Sequence, residues 1–146
     1  MVFIKPETIT SPLQQGDEII AIAASSRVDD PNSVAQGLKI FEGWGLSCRQ
    51  QNLSRHPWGY LAGDDQARFN ELHPKRSARL KAFIRGGWGA ARILERDQPW
   101  EKGWLVGFSD VSSILLSRLA DGFDGGIHGP LITSLANEPD WSQERL

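Results

Sequence analysis

Three short stretches of this 146-residue chain hold residue types and spacings that could do chemistry. The first, Arg85-Gly86-Gly87-Trp88-Gly89-Ala90-Ala91-Arg92, sets three glycines within four residues, a turn too tight for most side chains. A dinucleotide fingerprint, Gly-x-Gly-x-x-Gly or Ala, needs a small final residue. Read from Gly87, that place holds Arg92, so the match fails where helix and strand must approach. The same backbone suits a nucleophile elbow, in which a strained strand-to-helix turn lifts one side chain into a cleft and the next backbone N–H faces a developing oxyanion. Ala90 and Ala91 carry neither hydroxyl nor thiol, so this turn could hold an oxyanion but could not attack a carbonyl. A tight turn with no chemical role is the third reading.

The second stretch, Gly107-Phe108-Ser109-Asp110, offers Ser109 as a nucleophile, but Ser or Asp directly before an apolar-periodic segment is the pattern of a helix N-cap. The spacing predicts that Asp110 acts mainly by capping the helix that follows. The third, Ile127-His128-Gly129-Pro130, contains one of only three histidines. A lone histidine is a hydrogen-bonded structural group more often than a base, and no partners stand at metal-ligand spacing around it. His56 and His73 each directly precede a proline, in His56-Pro57 and His73-Pro74, and both read as surface loop residues. The tryptophans suit core or groove wall, with Trp58, Trp88 and Trp104 near enough to the turns to line a pocket.

Such turns need elements to place them. Glu18–Ala24 is a short, almost wholly apolar run, the pattern of a strand covered on both faces, and is expected to be the first, central strand. Asp30-Pro31 supplies a cap and a first-turn proline for a helix whose apolar positions Val34, Leu38 and Phe41 run on until Gly43 and Gly45. A second strand is expected within Ser47–Leu53, then a Gly- and aromatic-rich loop from His56 to Gly63, and a short helix opened by Asp64 and Asp65. Leu80–Ile84 is a strand running into the glycine turn, and Ala90–Leu94 is strongly helical. Trp104–Phe108 repeats the theme before a helix built on Val111, Ile114, Leu115 and Leu119, and Gly126–Pro130 repeats it again. Strand, sharp turn and helix in repetition specify an α/β fold, a doubly wound, mostly parallel sheet with helices on both faces. Ligands of such sheets sit outside the carboxyl ends of the strands, and all three chemical stretches fall there.

Composition narrows the functional classes. With 23% charged and 40% hydrophobic residues the chain is an ordinary globular sequence with room for one core, which excludes disorder, collagen and coiled coil. A formal charge of -2 offers no field to attract nucleic acid or an anionic membrane surface. Cys48 alone cannot form an internal disulfide and reads as a buried thiol. No stretch approaches the roughly 18 apolar residues of a membrane span, and Pro6 interrupts Met1–Lys5 where an export leader would continue.

Four segments, taken in order, resemble the successive motifs of the serine LD-carboxypeptidases. They are Gly59-Tyr60-Leu61-Ala62-Gly63-Asp64-Asp65-Gln66-Ala67-Arg68, Ile84–Leu94, Gly107–Ser113 and Ile127–Pro130. That family is also called muramoyltetrapeptide carboxypeptidase and includes the microcin-immunity hydrolases. The resemblance covers the chain from about Gly16 to Trp141. It implies a cytoplasmic enzyme of murein recycling that cuts an L,D bond to remove terminal D-alanine from a tetrapeptide. It implies a flavodoxin-like sheet of the glutamine-amidotransferase type carrying the nucleophilic serine, and a second domain supplying a glutamate and a histidine.

On this resemblance residues 1–15 are an N-terminal extension, 16–138 the nucleophile-elbow domain, and 139–146 the start of a connection to a C-terminal domain outside this sequence. The family's serine is best matched by Ala90, which cannot replace it, so the chain is expected to be inactive alone. In the implied mechanism a serine at position 90 attacks the peptide carbonyl after giving its proton to a histidine elsewhere, and water releases the acyl-enzyme. The backbone N–H groups of Gly87 and Ala91 are the expected oxyanion hole. Trp88, Ser109, Asp110, His128 and Gly129 are expected to shape the cleft for a murein peptide, with no metal or organic cofactor. The rival reading is a non-catalytic module that holds muropeptides or docks a partner. In either case the face awaiting a second domain is expected to leave an apolar patch near the strand ends, open to self-association as a homodimer.

Overall fold

The computed structural model describes residues 3–4, 10–49 and 56–146. Five strands form one sheet in the order β2-β1-β3-β4-β5, every pairing parallel: β1 Glu18–Ile22, β2 Ser47–Cys48, β3 Leu80–Phe83, β4 Trp104–Gly107 and β5 Gly126–His128. The helices are α1 Pro31–Gly43, α2 Asp65–Leu72, α3 Ala90–Leu94, α4 Val111–Ala120, α5 Ile132–Leu135 and α6 Asp140–Gln143. The doubly wound sheet expected from the sequence is therefore present. The central position is different: β3 occupies it, and β1 lies between β3 and the short edge strand β2. An apolar run identifies a strand covered on both faces, which both β1 and β3 are, and does not by itself say which of them is in the middle. Of the expected second strand, Ser47–Cys48 is observed and residues 50–53 lie outside the described residues, as does most of the Met1–Pro6 leader reading.

Alternation along each strand sends side chains to two cores. Ile19, Ala21, Ala23, Leu80, Ala82 and Ile84 face α1 and α5, where Val34, Phe41, Ile132 and Leu135 are buried. Ile20, Ile22, Ala24, Phe83 and Leu105 face the other way, against Leu72 of α2, Ile93 of α3 and Val111 and Ile114 of α4. A one-residue slip in any of these strands would exchange the two faces, so the register is firmly specified.

Helix starts follow the local chemistry the sequence indicates. The Asp30 side chain accepts from Asn32 N at 3.0 Å with Pro31 at the first helical position, and Asp64 accepts from Ala67 N at 2.7 Å. Cys48 is half-buried, and burial pushes its thiol up to about 11, away from thiolate chemistry. His73 is not the plain surface residue expected. It is half-buried and hydrogen-bonded to Gln98 at 2.8 Å, and burial lowers its pKa. Among the described residues, no helix is long and apolar enough to cross a membrane.

Candidate active site

In a sheet of this order the connections leaving β1 and β3 diverge, and the gap outside their carboxyl ends is the place where ligands bind. A cavity of about 550 Å³ lies there. Its walls are Ser26, Arg27 and Asp29 from the loop after β1, Arg85, Gly87 and Trp88 from the loop after β3, and Tyr60 from the 56–63 loop. Trp88 is 72% exposed and Tyr60 63%, two large aromatic surfaces beside a polar floor.

The glycine turn is bound to the rest of the molecule at almost every residue. Gly86 O accepts from Ser26 N at 3.1 Å, and Ser26 Oγ accepts from Trp88 N at 3.2 Å. Gly87 has φ +98°, and an added Cβ would overlap Ser26 Oγ, so both backbone conformation and space require glycine. Gly89 precedes α3 with φ +118°, and its carbonyl accepts from Arg68 Nη1 at 2.7 Å. Arg68 is fully buried. It also donates to Ala24 O at 2.9 Å, to Gly63 O at 3.1 Å and to Asp65 Oδ1 at 2.6 Å, joining the end of β1, the 56–63 loop and the glycine turn through one side chain. Asp65 is held well below the usual carboxylate range, chiefly by its hydrogen bond with Arg92. Arg92 in turn lies over the ring of Trp58, which is exposed on the 56–63 loop and does not line the cleft.

Asp110 departs from expectation. It has helical dihedrals, φ -56° and ψ -31°, and makes no side-chain cap to its own helix, because an N-cap needs the extended backbone that turns the carboxylate back over the first turn. Its Oδ2 instead accepts from Ala90 N at 2.9 Å and from Ser25 Oγ at 2.7 Å. The carboxylate therefore caps α3, the helix leaving the glycine turn. Ser109 does not cap with extended backbone either. It sits at φ +66°, the single described non-glycine residue in the left-handed region, and lies so close to Gly86 that an added Cβ there would be 2.8 Å from its own.

The structure brings some of the expected residues together and separates others. Gly87 and Trp88 line the cleft, and Asp110 ties it from below. Ala90 is fully buried against the α2–α4 core, whereas Ala91 beside it is exposed; neither lines the cleft. Ala90, at the first position of α3, directs its Cβ into that core, while Ala91 presents its own to solvent. Among the described residues, the amides of Gly87 and Ala91 make no hydrogen bond. His128 and Gly129 stand apart from the cleft. His128 lines a separate apolar groove with Leu115, Leu116, Leu119 and Phe123, its ring 6.3 Å from that of Phe108, and Gly129 packs near Val106 and Leu146. Trp104 is also remote, its indole N–H donating to Ser11 O at the start of β4. Among the described residues, no group of three or more His, Cys, Asp or Glu is placed to hold a metal ion.

Sequence reasoning gave no role to Arg68, Ser25, Ser26, Arg27, Asp29 or Arg85. One available signal was the abrupt change from the apolar β1 run to Ser25-Ser26-Arg27, polar residues at a strand's carboxyl end. Nothing in the α2 sequence marks Arg68 as buried.

A family model described as the LD-carboxypeptidase N-terminal domain matches residues 19–129, which hold the cleft, the glycine turn and Asp110. The chain belongs to this family. A Synechocystis sp. protein that bears a carboxypeptidase name is 38% identical over 142 residues, covering 92% of this chain and 46% of that protein. A Bacillus subtilis protein that bears a murein peptide carboxypeptidase name is 30% identical over 132 residues, covering 84% of this chain and 40% of the relative. The chain thus spans less than half the length of these relatives. Among solved structures, the microcin C7 self-immunity protein MccF superposes with a TM-score of 0.80 at 18% identity, over 92% of this chain and 44% of that one. The muramoyltetrapeptide carboxypeptidase of Oxalobacter formigenes superposes with a TM-score of 0.62 at 19% identity, over 84% and 43%. At such identities the superpositions establish the fold.

Proposed function

We propose that this chain is the nucleophile-side domain of a serine-type LD-carboxypeptidase that acts on murein tetrapeptides, and that in the present form it binds such peptides without cleaving them. The observation that carries the reading is the glycine turn at the β1/β3 gap, opening on a cleft walled by Trp88 and Tyr60, with the unengaged amides of Gly87 and Ala91 at its ends. Those amides are the donors for a carbonyl oxygen that gains charge during attack. Asp110 and Arg68 fix the turn before substrate arrives, so reorganisation contributes little to the barrier.

The attacking hydroxyl belongs at the start of α3. Family resemblance assigns it to position 90, while exposure favours position 91. A serine there needs a general base, which typically contributes about 10²–10⁴-fold, and the implied base lies on a second domain. The absence of a hydroxyl or thiol at both positions favours the second reading, a muropeptide-binding module, for the chain as it stands.

The test joins this chain to the unmatched remainder of the Synechocystis relative, of which the match covers 46%. D-Alanine release from a murein tetrapeptide is then measured for the chimera and for its Ala90→Ser and Ala91→Ser variants, with each chain also assayed alone. The proposal expects release from one serine chimera and none from the lone chains. Silence from both serine chimeras, with peptide binding intact, would leave the binding module as the function. Robust release by a lone serine variant would place the base within these 146 residues and overturn the assignment of the base to a second domain.

A further inference from the structure

The cleft wall carries two guanidinium groups and one carboxylate. Arg27 Nε donates to Asp29 Oδ1 at 2.8 Å, and Arg85 Nη1 donates to Asp29 Oδ2 at 2.9 Å and to the Arg27 carbonyl at 2.9 Å. All three residues line the same cavity as Gly87 and Trp88, so two cations against one anion leave a surplus of one positive charge on its wall. Both arginines hold the Asp29 carboxyl below the usual range, Arg27 the more strongly. The pairing is exposed to water and adds little to folding, which makes a purely structural purpose a weak explanation for three charges gathered at this cleft.

Arg85 has bonding capacity to spare. Among the described residues its bonds all run through Nη1, while Nε and Nη2 make none. Its position is also informative, because it directly precedes Gly86 and Gly87. In a carboxypeptidase one residue separates the scissile carbonyl from the terminal carboxylate, and one residue spans only about 3.5 Å. The group that reads the carboxylate must therefore stand beside the oxyanion donors. A planar guanidinium fork matches a carboxylate in shape as well as charge.

We propose that Arg85, assisted by Arg27, binds the C-terminal carboxylate of the peptide in this cleft, with Asp29 holding the two side chains in position until the peptide enters. This rests on the proposed function and deepens it by naming the residues that select a free C-terminus. A murein peptide also carries internal carboxylates, the other source of the same chemistry, and the experiment separates them.

Isothermal titration of the chain is run with three tetrapeptides: one ending in free D-alanine, its C-terminal amide, and a form with internal carboxyls amidated and the terminus free. The terminal amide is expected to bind about tenfold or more weakly, the loss of a charge-assisted contact, while internal amidation leaves affinity within about twofold. In Arg85→Gln the acid-to-amide ratio should fall towards one with the melting temperature nearly unchanged, and Arg85→Lys should restore part of it. Equal binding of acid and amide by the unaltered chain overturns the inference and leaves the proposed function standing. So does a ratio that survives in both Arg85→Gln and Arg27→Gln, or a loss that follows internal amidation instead. Failure of every tetrapeptide to bind overturns the proposed function and this inference with it.

Discussion

Each end of the sheet is held by one fully buried arginine, and the two are used differently. At the carboxyl ends of the strands Arg68 donates to the carbonyls of Ala24, Gly63 and Gly89 and is neutralised by Asp65. At the amino ends Arg118 donates to the carbonyls of Glu101, Gly103 and Asp124, but no carboxylate oxygen bonds it among the described residues. Its Nε has no partner, and burial lowers its pKa. The first arrangement positions the turn of Gly87 and Gly89, which opens on the cleft between the loops after β1 and β3; the second closes the loops that enter β4 and β5, which hold left-handed glycines of their own at Gly103, Gly122 and Gly125. A buried cation fully matched by carbonyls and a carboxylate can hold strained backbone in place, which is what a preorganised site requires.

Removing the clamps is expected to give the largest effects. Arg68→Met leaves three carbonyls without their donor and Asp65 with Arg92 alone, at a cost of about 3–5 kcal/mol in chemical denaturation. It should also abolish peptide binding under conditions where the variant is still folded. Arg118→Met is expected to destabilise by less, since it starts with an unmatched charge, and to leave peptide affinity unchanged in the folded fraction. Equal stability losses, or a loss of binding in both, would erase the distinction between the two ends.

Backbone strain gives the next effect. Gly87→Val must place a side chain at φ +98° against Ser26 Oγ and should cost on the order of 1–3 kcal/mol. An unchanged melting temperature would remove the case for a constrained turn.

Asp110 allows a finer comparison. Asp110→Ala deprives Ala90 N–H and the Ser25 hydroxyl of their acceptor, a loss of about 1–3 kcal/mol, whereas asparagine keeps an oxygen and should retain most of the stability. The Ser25→Ala, Asp110→Ala double mutant should be less destabilised than the sum of the singles, since both act on one bond. Strict additivity in that cycle would contradict the observed tie between the loops.

A pH dependence arises on the inner strand β3. Lys81 is buried with its ammonium donating to Leu72 O at 2.9 Å, and burial lowers its pKa to about 8 from 10.5. Between those two values the unfolded chain holds a proton that the folded chain has released, so stability should rise with pH from about 8 to 10.5. Lys81→Met should flatten that part of the thermal stability profile, and an unaltered slope would show that another group titrates there.

Most of the fold was legible because it depends on patterns that survive without tertiary information: apolar runs bounded by glycine turns, and Asp30 and Asp64 at helix starts. The order of strands within the sheet was less so, because β1 and β3 are equally apolar. The Asp110 reading failed for a related reason. Capping is judged from a residue's own helix, and the donors that Asp110 satisfies come from the loops after β1 and β3, 85 and 20 residues away. The convergence of chemical residues on the carboxyl edge was correctly expected, but His128 sits after the edge strand β5, too far along that edge to line the β1/β3 cleft. Arg68 illustrates what local reasoning cannot reach, since its burial depends on carbonyls supplied by three separate segments.

The central claim is that the cleft between the loops after β1 and β3 receives the peptide. The most direct measurement is an amide chemical-shift titration of this chain with a murein tetrapeptide. The account predicts saturable shifts at Ser26, Arg27, Arg85, Gly87, Trp88 and Ala91, with Leu116, Leu119 and His128 unmoved. Shifts confined to the α4–β5 groove, with the glycine turn silent, would contradict it.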